Sequence, residues 1–175
     1  MLKKQPTPLH SLTLAALAVA SLFMAAPSAA APKDDGAKKP AKYVPVTEYD
    51  PQRDAAADIS GAVAEARRAK KNVLVEVGGK WCVWCRIMDD YFQRNADVRA
   101  LREENYVTVK VNFSPENENK EVLSKYPEIP GYPHIFVLDA EGRLLHSQFT
   151  GDLEEGKSYN HDKMVEFLRQ WAPKK

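Results

Sequence analysis

The 175-residue sequence predicts an α/β fold in which a mixed central sheet is covered by helices on both faces. Three observations carry that expectation. Helical and strand-like hydrophobic periods alternate along residues 43–175, which favours helices layered on a sheet. Two strand-like runs, 134–138 and 144–149, are separated only by a short polar turn, so part of the sheet is antiparallel. The two cysteines, Cys82 and Cys85, sit where an apolar strand gives way to a helix.

Residues 54–70 are rich in alanine, with Ile59, Val63 and Ala66 at helical spacing, and read as a helix. The run 73–77 is almost wholly apolar, as a strand covered on both sides should be, and Gly78 and Gly79 break it. From Cys82 the period is helical again, with Trp84, Met88, Tyr91 and Phe92 available for one face. A break near Asn95 precedes a further helical piece through Leu101. Residues 106–112 alternate, with Val107, Val109 and Val111 opposite Thr108 and Lys110, which predicts a strand with one drier face. Ser114 and Pro115 turn the chain into a polar segment and a short helix ending near Tyr126. Pro127, Pro130, Gly131 and Pro133 then punctuate a loop. After the hairpin across 139–142, residues 151–158 read as a polar loop. Met164, Phe167, Leu168 and Trp171 stripe a last helix that Asn160 can cap.

Composition narrows the function. A formal net charge of +1 offers no basic excess to neutralise phosphates, so no nucleic-acid partner is expected. Lys3 and Lys4, an apolar stretch over 12–26 and the small residues Ser28, Ala29, Ala30 and Ala31 read as a signal peptide cut after Ala30. About twenty apolar residues are needed to span a membrane, so no span is expected once residues 1–30 are removed. Residues 31–42 hold no large apolar side chain and read as a flexible leader to a domain over 43–175. The expected location is periplasmic or secreted.

In an oxidising compartment paired cysteines usually stabilise, and the gain grows with the loop they close. Two intervening residues make that loop too short for a structural role to explain the spacing. At a helix start the backbone N–H groups lack helical partners and the macrodipole favours negative charge. A cysteine there is a better acid and hence a nucleophile, which makes Cys82 the candidate attacking thiol. Cys85, almost one turn later on the same side, can resolve the mixed disulfide. A zinc site would need two of His134, His146 and His161, none at finger spacing, so no metal is expected.

The run 73–85, through Gly79, Lys80, Trp81 and the motif Cys82-Val83-Trp84-Cys85-Arg86, resembles the active-site strand and helix of the thioredoxin superfamily. With Gly131-Tyr132-Pro133, Phe136-Val137-Leu138-Asp139 and Phe149-Thr150-Gly151, it is more particularly similar to the carboxyl-terminal domain of the transmembrane disulfide reductase of Gram-negative bacteria. The similarity covers about 73–171 and implies a thioredoxin-like fold. It further implies that Pro133 is a cis-proline facing Cys82, that Tyr132 offers its backbone to substrate, and that Trp81 flanks the site. Glu76 matches a buried acid that exchanges a proton with Cys85. Trp84 departs from the family's frequent proline and His134 from its threonine. His146 and His161 are expected at the surface, and the acidic run 116–121 as a solvated face.

The expected activity is thiol–disulfide exchange through Cys82 and Cys85, with no organic cofactor. Exported proteins bearing disulfides or thiols are the expected partners, and a membrane disulfide reductase is a plausible electron donor. Two alternatives stay open: an oxidant or isomerase of folding proteins, and a non-catalytic binding module.

Overall fold

The computed structural model describes residues 42–174. The expected signal segment 1–30 and the leader up to residue 41 lie outside the described residues. Helix α1 (Ala55–Ala69) starts where the Asp54 carboxylate accepts from the N–H groups of Ala56 and Ala57 at 2.9 and 3.1 Å. It stops at Lys70, whose φ of 57° is left-handed. Strand β1 (Asn72–Gly78) follows, then α2 (Val83–Arg94), α3 (Ala96–Asn105), β2 (Tyr106–Asn112) and the single turn α4 (Lys120–Leu123). Strands β3 (His134–Leu138) and β4 (Leu144–Phe149) form the hairpin, and α5 (His161–Gln170) closes the chain, with Asn160 Oδ1 accepting from Lys163 N–H at 3.0 Å.

The sheet order is β2-β1-β3-β4, with β2 parallel to β1 and the other pairings antiparallel. Strand β1 is therefore central, and every one of its residues is buried. Alternation sends Val73, Val75 and Val77 toward α1, together with Val107, Val109, Val111, Phe136 and Leu138. Leu74, Ile135 and Val137 face α2, α3 and α5, where Met88, Phe92, Val98, Met164 and Leu168 pack. The small buried faces of Ala62 and Ala66 suit close approach of α1 to the sheet. Each fully buried aliphatic side chain stabilises by roughly 1.5–3 kcal/mol, so this strand anchors the domain and fixes whatever its end carries. Glu76 is the one ionisable side chain on β1, a carboxyl at 0% exposure.

One element differs from expectation. Residues 151–158 do not form a plain loop. Thr150–Leu153 is a 3₁₀ turn, and β5 (Glu154–Glu155) pairs with β6 (Ser158–Tyr159) as a two-stranded ribbon. Strands of two residues show no alternation, and the buried Leu153 and Tyr159 tie the ribbon to the core. Among the described residues no helix is long and apolar enough to cross a membrane.

Candidate active site

Strand β1 ends at Gly78, and Gly79, Lys80 and Trp81 carry the chain from its carboxyl end to Cys82, the N-cap of α2. The turn is fixed by a hydrogen bond from Cys82 N–H to the Gly79 carbonyl at 3.0 Å. Cys82 has extended backbone geometry, and its Sγ accepts from the Cys85 N–H at 3.1 Å. A sulfur in this position occupies the place a serine or aspartate takes at other helix starts, and negative charge on it is favoured by the same N–H groups. Cys82 and Cys85 are joined as a disulfide, with Cα atoms 5.3 Å apart, and are 3% and 1% exposed.

Gly78 is needed for this arrangement. A Cβ there would collide with Cys85 Sγ and stand 3.1 Å from Tyr49 Cζ and Oη. Glu76 lies two residues earlier on the same face of β1, roughly 6.6 Å back at a strand rise of about 3.3 Å. Its Oε1 is 3.5 Å from Arg102 Nη1, while Oε2 has no partner among the described residues. Burial raises the Glu76 pKa, only partly opposed by Arg102 and Lys110. Lys110 sits opposite Glu76 in the β1–β2 register but pairs with Asp89, its Nζ 2.6 Å from both carboxylate oxygens. Asp89 lies one helical turn after Cys85. A cleft of about 210 Å³ is lined by Tyr49, Gly79, Cys85, Arg86, Asp89 and Lys110, and Glu76 lies beneath it, outside the lining. Asp89 and Lys110 thus place a charged pair in the same cleft as Cys85.

Tyr132 packs against the cysteine cluster, and the Tyr132–Pro133 peptide bond is cis. Pro133 is buried, and its carbonyl accepts from Thr150 Oγ1 at 2.5 Å, which ties the loop to the end of β4. The Tyr132 ring stacks on Phe113 with centroids 4.8 Å apart and meets Trp81 edge-on at 5.6 Å. Trp81 Nε1–H donates to the Phe113 carbonyl at 2.7 Å, yet the residue is 52% exposed. Val83 is 56% exposed, so an apolar rim surrounds the cysteines. Trp84 packs on Tyr159, edge-on at 5.8 Å, and against Cys82 and Cys85.

Cys82, Cys85, Trp81, Tyr132 and Pro133 thus come together at one end of the sheet, with Glu76 beneath. His134 does not join them. It is buried with Nε2 2.8 Å from Ser147 Oγ and its ring 4.8 Å from Phe136, and burial lowers its pKa to about 4. His146, expected at the surface, is half-buried and stacks on Trp171 at 4.4 Å, because α5 covers that face of the hairpin. His161 is exposed beside Asp97. Among the described residues no three His, Cys, Asp or Glu side chains converge as metal ligands. Tyr49, Asp89, Lys110 and Thr150 were not among the expected site residues. Each arrives through a contact with a distant part of the chain, and among them only Thr150, within the run Phe149-Thr150-Gly151, carries a signal in the sequence.

Comparison with known proteins agrees with the fold. Residues 54–140 match the Thioredoxin-like family model. The chain is 27% identical over 118 residues to the thiol:disulfide interchange protein DsbD of Pseudomonas fluorescens, covering 66% of this chain and 18% of that protein. It is 28% identical over 76 residues to the disulfide bond reductase DsbH of Chlamydia pneumoniae, covering 39% of this chain and 45% of the other. The chain thus spans less than half the length of these relatives. Among solved structures, a disulphide isomerase from Xylella fastidiosa Temecula1 superposes with a TM-score of 0.60 at 25% identity, over 70% of this chain and 94% of that one. The oxidised carboxyl-terminal domain of Neisseria meningitidis DsbD matches in fold, with a TM-score of 0.52 at 20% identity, over 71% and 98% of the two chains.

Proposed function

Because the chain carries a domain of the thioredoxin-like family, we propose that it is a thiol–disulfide oxidoreductase in which Cys82 attacks and Cys85 resolves. The observation that carries this reading is the Cys82–Cys85 pair at the start of α2, with Cys82 Sγ accepting from the Cys85 N–H. In the reduced protein the Cys82 thiolate attacks a substrate disulfide, forming a bond to one sulfur and expelling the other as a thiolate that takes up a proton. The Cys85 thiolate then attacks Cys82, forming the internal disulfide and releasing the second substrate sulfur. Two electrons pass to the substrate, and the protein must be re-reduced by a dithiol donor.

Glu76 serves as the proton reservoir for Cys85, a role supported by its burial and its place two residues before Gly78. Tyr132 and the cis-Pro133 present backbone to an incoming extended segment, and Trp81 supplies an apolar wall. Residues 1–30 direct export, 31–42 form a leader, and 43–175 form the exported domain, working in the periplasm or outside the cell. The amino-terminal pattern and the likeness to DsbD support that location. Its partners are exported proteins with disulfides, and its electron donor is a membrane disulfide reductase.

The likeness to a disulphide isomerase favours one second reading, an isomerase or oxidant of folding proteins. The equilibrium of the Cys82–Cys85 couple with glutathione separates them: a couple as reducing as thioredoxin supports the reductase, and one near the strong oxidants rejects it. The mechanism itself is tested with two variants. Cys85→Ser should accumulate a mixed disulfide through Cys82, and Cys82→Ser should abolish exchange. Undiminished exchange in Cys82→Ser would leave only a binding module.

A further inference from the structure

A buried hydroxyl packs with the disulfide without a partner among the described residues. Tyr49 is 5% exposed and clusters with Cys82 and Cys85. Its Oη has no hydrogen-bond partner among the described residues. Oη and Cys85 Sγ both lie against the Cα of Gly78, since a Cβ there would meet each of them. Lys110 holds the ring and the segment before it. Lys110 Nζ stands 4.9 Å from its centroid, and Lys110 N–H donates to the Val46 carbonyl at 3.1 Å, pinning the preceding segment to β2. Hydroxyls buried at this depth usually find an acceptor, and leaving one unpaired is costly.

We propose that Tyr49 is a positioning residue whose phenolic O–H donates a hydrogen bond to Cys85 Sγ once the disulfide is open, holding that sulfur as the thiolate for the resolving step. The inference rests on the reading of Cys85 as the resolving thiol. In the disulfide, Cys85 Sγ carries no charge and is a weak acceptor. Opened and ionised, it becomes a charged acceptor, and such bonds are roughly twice as strong as neutral ones. Reduction therefore creates the partner that the hydroxyl lacks.

The neighbouring charges fit a donor that keeps its proton. Glu76 on β1, Asp89 and Arg86 on α2, Lys110 on β2 and Tyr159 on β6 face the site, with Glu48 and Lys80 at its rim. Asp89 is engaged by Lys110 through both oxygens. Burial, then Glu76 and Asp89, push the phenol well above its ordinary range, so it stays protonated wherever the cysteines work. The proton that leaves Cys85 passes to Glu76 or solvent. In the resolving step the Cys85–Cys82 bond forms, the bond from Cys82 to the substrate sulfur breaks, and its electron pair leaves on that sulfur, which is protonated from water. The cysteines are oxidised, the substrate is reduced, and Tyr49 ends as it began.

The test is the acidity of Cys85 in the full-length reduced protein carrying Cys82→Ser, followed by thiolate absorbance against pH, with and without Tyr49→Phe. Removing the hydroxyl while keeping the ring should weaken Cys85 as an acid about ten- to a hundredfold, the range of one hydrogen bond to a charged group. An unchanged titration overturns the assignment. Fluorotyrosine placed at position 49 of the otherwise unaltered protein gives a second measurement: its fluorine resonance should move on reduction, and a resonance that stays fixed also overturns it. Both readouts are independent of turnover. A protein that exchanges no disulfides at all defeats the proposed function and leaves the hydrogen bond decided on its own terms.

Discussion

Replacing Glu76 with Gln should make the oxidised protein more stable at neutral and alkaline pH, and not at acid pH. The native carboxyl has its pKa raised by burial, so it retains its proton where the unfolded chain, titrating near about 4.3, has already lost it. The native state then binds more protons than the unfolded state, and stability falls as pH rises. This contribution is complete below the unfolded value and lost as pH climbs through the folded one. The size follows from the partners. Oε2 has none among the described residues, and Arg102 reaches Oε1 only at 3.5 Å, so ionising the group in place leaves a buried charge poorly satisfied. Such a group costs about 1–3 kcal/mol, which Gln avoids while still accepting from Arg102. Urea unfolding of both proteins across pH reads the difference directly, because every other titrating group is common to the two. The curves should meet at acid pH and separate by about 1–3 kcal/mol above the Glu76 transition. Parallel curves, or a Gln variant less stable at high pH, would refute the reasoning. With the cysteines reduced, the same substitution should slow exchange by about a hundredfold if Glu76 handles the Cys85 proton.

Three other substitutions test the scaffold. Thr150→Val removes the donor to the Pro133 carbonyl at 2.5 Å; leaving that buried oxygen unpaired should cost about 1–3 kcal/mol in urea unfolding. Gly78→Ala places a methyl group against Cys85 Sγ and the Tyr49 ring, an overpacking that should cost roughly 1–3 kcal/mol in thermal or urea unfolding. At the start of α5, Asn160→Ala deletes the cap on Lys163 N–H and should cost about 1 kcal/mol in urea unfolding.

The legible parts of the fold were those governed by local periodicity. The all-apolar β1, the alternation of β2 and the stripe on α5 follow from side chains a few positions apart. The strand-to-helix setting of Cys82 and Cys85 is equally local, since a helix start and a three-residue spacing are sequence properties. The ribbon of β5 and β6 was invisible because two-residue strands have no period and depend on Leu153 and Tyr159 reaching the core. Tyr49 sits before α1 in a stretch with no regular structure, and nothing nearby marks it as buried. Lys110 read as a solvent-facing residue of β2; its partner is Asp89, 21 residues earlier, on a helix packed over that face. Family likeness rather than spacing pointed to Pro133, where sequence alone suggested an ordinary turn.

The acidity of the Cys82 thiol in the reduced protein tests the central idea most directly, because the proposed chemistry depends on a sulfur stabilised by the start of α2. Alkylation rate against pH should place Cys82 well below the ordinary cysteine value of about 8.5, with thiolate predominating at neutral pH. A Cys82 that titrates at or above that value would contradict the account.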